Sequence, residues 1–271
     1  MINIENINFV HFAGGEVHLN GAELPLGIKS ETVWSPIHNS DDLMELLIFT
    51  DAYKRAYGKA PSVCIPYIPY ARQDRVANPG EGLSIKVFAD IINAQGYPEV
   101  FVIDPHSDVC MALLNNVKLI QDIDDNYLSR VVPEYLTSNY VVVAPDAGAY
   151  KKLSKKIKMV PLIYATKQRD TRTGALSNVE VHVGNVDISD KTLLIVDDIC
   201  DGGGTFQLLA KELRTMYQFD GLELYVTHGI FSKGIEPLVS TFNKVYTTNS
   251  FYQGKSTGNL RVTDLKNFMA I

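Results

Sequence analysis

Cysteine is scarce in this chain, with 3 among 271 residues, at Cys64, Cys110 and Cys200. An odd number spaced so widely suggests neither a disulfide framework nor a zinc site. Long apolar runs are missing too: none approaches the roughly 20 residues needed to cross a bilayer. Positive charge is in deficit, 25 Lys and Arg against 31 Asp and Glu for a formal net charge of −6, which argues against a nonspecific nucleic-acid or membrane surface. The opening residues, MINIENINFV, lack the basic region and long apolar core of a secretion leader. A cytoplasmic protein with no nucleic-acid or membrane partner is therefore expected. There is no low-complexity linker and no short-period repeat. What is present is 46% hydrophobic content, ample for one large or two medium cores.

Short apolar runs alternate with amphipathic helical patterns. Ser40 reads as an N-cap; Leu43, Leu46, Leu47, Thr50, Tyr53 and Tyr57 follow at helical spacing, and Gly58 ends the pattern. Ser62 to Ile68 reads as a strand, a helix follows from Ser84 to Gly96 with Phe88, Ile91 and Ile92 on one face, and Glu99 to Asp104 is a buried strand. YVVVAP, MVPLIY, TLLIVDD and LELYVTH repeat the rhythm, with helices near Ala147 and Thr205. Strands alternating with helices predict an α/β fold with a mainly parallel sheet covered on both faces. Ligands in such sheets sit at the carboxyl ends of the strands. The polar loops Arg72 to Arg75, Asp104 to His106, Asp146 to Gly148 and Asp197 to Thr205 fall there, which points to an enzyme. A charged stretch from Asp122 to Tyr127 is the only plausible boundary, dividing an N-terminal half, 1–124, from a C-terminal half, 125–261. A last helix, over about 262–271, is expected to fold back onto the first half.

The stretch LLIVDDICDGGGTF, Leu193 to Phe206, combines a strand, an acidic pair and a glycine turn leading into a helix. Gly202, Gly203 and Gly204 allow positive φ and close backbone approach, so that amides converge on a phosphate. Thr205 adds a hydroxyl at a helix start, which also favours an anion. Asp197 and Asp198 are placed to accept hydrogen bonds from sugar hydroxyls or to meet a divalent cation, and Asp201 follows. A tight turn with exposed acids is the bland reading; the whole string favours a ribose phosphate.

IVDDICDGGGTF resembles the phosphoribosyl-diphosphate loop shared by type I phosphoribosyltransferases and by the diphosphokinases that make their substrate. Three more stretches resemble the ribose-phosphate diphosphokinases: PYARQDR (Pro69 to Arg75), FAGGE (Phe12 to Glu16) and VVAPDAG (Val142 to Gly148). With VTHGIF (Val226 to Phe231), the similarity covers nearly the whole chain. The resemblance implies two tandem phosphoribosyltransferase-like domains, each a mainly parallel sheet flanked by helices, the first binding ATP and the second ribose phosphate. It implies transfer of the β,γ-diphosphoryl group of ATP to the 1-hydroxyl of ribose 5-phosphate, a reaction feeding nucleotide biosynthesis. Arg72, Gln73 and Asp74 would bind the nucleotide, and Phe12 and Glu16 would clasp adenine from a neighbouring subunit. His106 would support the magnesium–ATP site, and Asp146 a second, ribose-side magnesium. Lys167 and Arg169, in the segment Tyr164 to Leu176, match a lysine and an arginine two residues apart on a mobile catalytic loop. Taken alone, these residues read as a polar turn, an ordinary histidine and a solvated basic hairpin.

Some positions depart from the family pattern. Gly14 stands where Asp or Asn is usual, which removes one adenine contact. Gly202 replaces a usual Thr or Ser and removes a hydroxyl for the 5-phosphate; ribose 5-phosphate remains the favoured acceptor over a larger one such as ADP-ribose. The segment Ser107 to Val117 lacks the family's usual glutamine- and phenylalanine-rich character, and a homodimer is expected rather than the usual hexamer. The competing functions are a phosphoribosyltransferase, against which PYARQDR counts, and a non-catalytic regulatory homologue, against which the intact loops count.

Overall fold

A computed structural model describes residues 1–21, 24, 32–169 and 176–268, with side chains described for all of these except 167–169, 176–178 and 267–268. They form two compact units, Met1–Gln121 and Asp122–Phe268.

In the first unit a five-stranded parallel sheet has the order β1-β4-β5-β6-β7. Its strands are β1 (Ile2–Asn3), β4 (Thr32–Trp34), β5 (Ser62–Ile65), β6 (Val100–Ile103) and β7 (Val117–Gln121). A hairpin of β2 (Phe9–His11) and β3 (Val17–Leu19) stands apart from that sheet. Helix α1 (Ser40–Tyr57) buries Leu46, Phe49 and Tyr53, and α2 (Ser84–Ala94) buries Ile85, Phe88, Ala89 and Ile92. Both pack in one core with Val33, Val63, Ile65, Val100 and Val102. A short helix, α3 (Asp108–Leu113), links β6 to β7. Asn39, not Ser40, caps α1, its side chain accepting from the amides of Asp41 and Asp42; an Asn oxygen reaches both donors where Ser40 has already entered the helix. Gly58, at φ 73°, ends it. β5 stops at Ile65, three residues before the predicted end.

The second unit holds a seven-stranded sheet of order β10-β9-β8-β11-β12-β13-β14. Its strands are β8 (Tyr140–Ala144), β9 (Leu162–Arg169), β10 (Leu176–His182), β11 (Thr192–Cys200), β12 (Gly221–Gly229), β13 (Lys244–Thr248) and β14 (Leu260–Thr263). All neighbours pair parallel except β9 and β10. Its helices are α4 (Asp125–Val131), α5 (Ala147–Leu153), α6 (Gly204–Met216) and α7 (Glu236–Thr241). Alternate residues of the central strands feed two cores. Leu193 and Ile195 pack with Leu209, Leu213 and Leu238 on one face, while Leu194 and Val196 pack with Leu128, Leu153 and Tyr225 on the other. That two-sided burial explains why the strands read as unbroken apolar runs.

The C-terminal helix predicted over 262–271 is not formed through its described part. Val262 lies in β14, whose register with β13 pairs Thr247 with Val262, and a 3-10 turn follows at Leu265–Phe268. Extended pairing satisfies this backbone through the sheet, so no local helix is needed. Residues 269–271 lie outside the described residues. Among the described residues no helix is long and apolar enough to cross a membrane.

Candidate active site

The glycine loop is built by one strand that outruns its neighbour. β11 pairs with β8 only from Thr192 to Ile195, but with β12 all the way to Cys200. Asp197 and Asp198 therefore belong to the strand itself, beyond the end of its pairing with β8. Asp198 is buried, its amide donates to Asp197 Oδ1 (3.0 Å), and its Oδ2 lies 3.9 Å from the ammonium of Lys152 on α5. Cys200 ends the strand, its thiol pushed up to about 12 by burial and by Asp197 and Asp201 nearby. Its thiolate form is thereby disfavoured.

The chain then turns into α6 through Gly203 at φ 74°. A β-carbon on Gly203 would sit 2.8 Å from Leu238 Cδ2, so both conformation and packing demand glycine there. The first intrahelical bond runs from the Gln207 amide to the Gly203 carbonyl, and no side chain caps the helix. The amides of Gly204, Thr205 and Phe206 thus have no partner within the helix, at its positive end. The starts of α2, α3 and α7 likewise have no side-chain cap, whereas α1, α4 and α5 are capped by Asn39, Asp124 and Asp146. Gly202 has no positive φ; a β-carbon there would meet the side-chain carbons of Lys233 at 3.3 to 3.4 Å. The lysine stem thus lies beside the space that Gly202 leaves open.

Asp146 follows β8 and caps α5, its Oδ1 accepting from the Ala149 amide at 2.8 Å. Lys167 and Arg169 were expected on a loop, but they lie on β9, in register with Val179 and Leu176 of β10. Antiparallel pairing extends this hairpin past the point where the polar sequence suggested a loop. Residues 170–175 of the same segment lie outside the described residues. The hairpin base is tied by aromatic contacts: Tyr164 lies against Tyr150 of α5 (4.5 Å between ring centres) and stacks on His182 (4.7 Å).

In the first unit, the segment after β5 turns at Tyr70, held at φ 64°, with Ala71 buried and the Gln73 amide donating to the Tyr70 carbonyl (2.8 Å). Arg72 and Gln73 are exposed beside a partly buried Asp74. After β6, Asp104 is buried at φ 39°, its amide donating to the Gln121 carbonyl (2.9 Å), and His106 stands exposed. The Ser107 hydroxyl beside it is buried and unpaired. At the tip of the β2–β3 hairpin, Phe12 is 53% exposed. Glu16 folds back over Gly14, where a β-carbon would meet its Oε2 at 2.6 Å.

Sequence reasoning missed two features. At the end of β12 a buried network joins His228 Nδ1 to Ser250 Oγ (2.8 Å), while the hydroxyls of Ser250 and Thr248 donate to the Thr227 carbonyl. Which of His228 Nδ1 and Ser250 Oγ donates in that pair follows the histidine tautomer. The other is Lys233, which no motif marks; only the placement of the segment after β12 puts it beside the glycine loop.

Among the described residues no three His, Cys, Asp or Glu side chains converge as a metal cage. Magnesium takes few protein oxygens and keeps substrate and water oxygens. Asp146 and Asp197 offer hard carboxylate oxygens of this kind.

Family models account for most of the chain. One for the N-terminal domain of ribose phosphate pyrophosphokinase matches residues 1–96, and one for the phosphoribosyl transferase domain matches residues 112–218. The ribose-phosphate pyrophosphokinase of Pyrococcus abyssi is 30% identical over 258 residues, 92% of this chain and 85% of the relative. That of Mycoplasmopsis pulmonis is 28% identical over 99% of this chain and 85% of the relative. That of Gloeobacter violaceus is 33% identical over 88% of this chain and 72% of the relative. The crystal structure of phosphoribosylpyrophosphate synthetase from Mycobacterium smegmatis superimposes with a TM-score of 0.74 at 24% identity, covering 96% of this chain and 86% of that one. At that identity it speaks for the fold, two phosphoribosyltransferase-like domains. The chain belongs to the ribose-phosphate pyrophosphokinase family of diphosphotransferases.

Proposed function

We propose that the chain transfers the β,γ-diphosphoryl group of ATP to ribose 5-phosphate. The 1-hydroxyl oxygen of the sugar bonds to the β-phosphorus, the bond from that phosphorus to the α,β-bridging oxygen breaks, AMP leaves and the hydroxyl proton is released. The observation that carries this reading is the uncapped start of α6 behind Gly203, next to the strand-borne pair Asp197 and Asp198. Amides without a helical partner suit a phosphate, and carboxylates suit sugar hydroxyls. A ribose phosphate needs both.

In this reading, the second unit holds the sugar. Gly202 to Thr205 cradle its 5-phosphate, and Asp197, Asp198 and Asp201 serve its hydroxyl side. The first unit holds ATP through Arg72, Gln73, Asp74 and His106. Phe12 and Glu16 of a second copy would close on adenine in a dimer or larger assembly; the exposure of Phe12 supports this. Lys167 and Arg169 stabilise charge on the transferred group. Asp146, with His106 on the nucleotide side, would help to hold magnesium, which when bound neutralises phosphate charge. Little covalent work falls to the protein: it aligns two anions and offsets their charge.

The test offers purified protein ATP and magnesium with ribose 5-phosphate and ADP-ribose in competition, and identifies products by mass. Phosphoribosyl diphosphate and AMP are expected, with ADP-ribose left unreacted. Consumption of ADP-ribose in preference, or no AMP from ribose 5-phosphate, would refute the proposal.

A further inference from the structure

We infer that Lys233 binds the 5-phosphate of the sugar substrate, in place of the hydroxyl that Gly202 does not supply. This rests on the ribose-phosphate reading of the glycine loop given above. The first observation is steric. Three successive carbons of Lys233, Cγ, Cδ and Cε, lie 3.3 to 3.4 Å from the place a β-carbon would take on Gly202. The stem runs along the loop, and its ammonium is one bond beyond Cε. A side chain at 202 would press on this stem, which would have to give by a few tenths of an ångström.

The second observation is that the backbone around Lys233 is held fast. The amides of Ile230 and Phe231 both donate to the Cys200 carbonyl (2.9 and 3.2 Å), which staples this segment to the end of β11. Phe231 sits at φ 50°, unusual for a residue with a side chain; its buried ring packs edge-on against Tyr252 at 5.3 Å. The Gly234 amide closes the turn on the Phe231 carbonyl at 2.8 Å, with φ 80° at Gly234. Backbone strain of this kind persists where the surroundings over-determine it, and it clusters at working sites.

The third observation is charge. Asp197, Asp198 and Asp201 precede the glycines, and no Lys or Arg lies between Asp197 and Thr205. A helix start supplies only about half a unit charge. A dianionic phosphate beside three carboxylates therefore calls for a full cation. Lys152 is turned to Asp198. Lys233 is exposed and, among the described residues, has no ion-pair partner. A stem lying over Gly202 also selects a terminal monophosphate over a 5-diester, because it fills the notch a larger substituent would use.

The test compares Lys233→Ala, Lys233→Arg, Gly202→Thr and the double variant Gly202→Thr/Lys233→Ala. Each is assayed for KM of both substrates, and calorimetry reads ribose 5-phosphate binding without ATP. A charged hydrogen bond at an exposed site implies a rise of about tenfold in KM and Kd for ribose 5-phosphate in Lys233→Ala. The ATP KM should stay within about twofold, and Lys233→Arg should keep most of the affinity. Gly202→Thr should weaken the sugar by displacing the stem, while the double variant should bind it more tightly than Lys233→Ala does. Since Lys233 is exposed, unchanged melting temperatures will show that folding is intact. Binding by Lys233→Ala within about twofold of wild type would overturn the inference. A wild type that binds ribose 5-phosphate but forms no phosphoribosyl diphosphate would sink the catalytic reading, and the comparison at Lys233 would stand. A wild type that does not bind ribose 5-phosphate would sink both.

Discussion

Replacing Gly203 with Ala tests the construction of the glycine loop in a way that its immediate neighbour controls. Gly203 lies at φ 74°, where an L side chain costs about 1–2 kcal/mol. Its new β-carbon would stand 2.8 Å from Leu238 Cδ2, and Leu238 is buried in α7 with little room to withdraw. Forcing a methyl into such packing costs a further 1–3 kcal/mol or so. The total, about 2–5 kcal/mol, is a large part of the roughly 5–15 kcal/mol that holds a domain together. For a unit the size of Asp122–Phe268, about 2–4 °C is lost per kcal/mol, so melting should fall by roughly 4–20 °C. Gly204→Ala is the control: a β-carbon there meets nothing within 4 Å and the residue has no positive φ. That change should leave stability unchanged or raise it by up to about 1 kcal/mol. Calorimetric melting of the two variants beside wild type is the assay. A Gly203→Ala protein melting within a degree or two of wild type, or a Gly204→Ala protein falling as far as Gly203→Ala, would refute this account of the turn.

Lys167→Ala should lower kcat by roughly a hundredfold while ATP binding changes little, as for loss of a donor that acts in the transition state; unchanged turnover would remove Lys167 from the catalytic set. Asp198→Asn should raise the KM for ribose 5-phosphate more than that for ATP, and a change confined to ATP would place Asp198 on the wrong substrate. Burial, the largest cause in each, pushes the phenols of Tyr97, Tyr135, Tyr140 and Tyr246 above their ordinary 10.0, with Asp125 adding to it at Tyr135 and Glu223 at Tyr140 and Tyr246. Above pH 10 or so the folded chain then binds more protons than the unfolded one, so stability present below that pH is lost as pH rises further. Melting followed from about pH 8 to 11 should show the decline, and a flat profile would contradict it.

Burial decided what could be seen in the sequence. Leu193 to Val196 are apolar without a break because both faces of β11 are covered, and a run of that kind is easily recognised. The strand candidate TLLIVDD reaches Asp198, and only Ile199 and Cys200 of β11 lie beyond it. Acidic side chains do not end the strand, because pairing with β12 uses only main-chain groups and continues to Cys200. Polar side chains masked the extension of β9 through Lys167 to Arg169. Val262 reads as helical in a short window, but the neighbouring β13 draws it into the sheet. Lys233 was illegible for another reason: its meaning depends on a contact with Gly202, thirty-one positions away in the chain, and no local pattern encodes such a pair.

The geometry also resolves why carboxylates and a phosphate cradle lie side by side in the sequence. Successive residues of a strand project to opposite faces, so Asp197 and Asp198 present their carboxylates at different places at the strand end. Asp198 is the more buried and lies towards Lys152 of α5, leaving the partly exposed Asp197 as the more accessible of the two. The glycines then reverse the chain at Gly203, and the helix that follows presents amides rather than acids. Negative charge thus lies on Asp197, Asp198 and Asp201 before the glycines and positive potential at the helix start after them. A ligand with hydroxyls at one end and an anion at the other can meet both without conflict. A ligand that is anionic throughout would be repelled along the strand. This polarity would be lost if an aspartate replaced Thr205: its carboxylate would compete for the free amides of α6, and ribose 5-phosphate affinity should fall even though the helix itself gains a favourable charge.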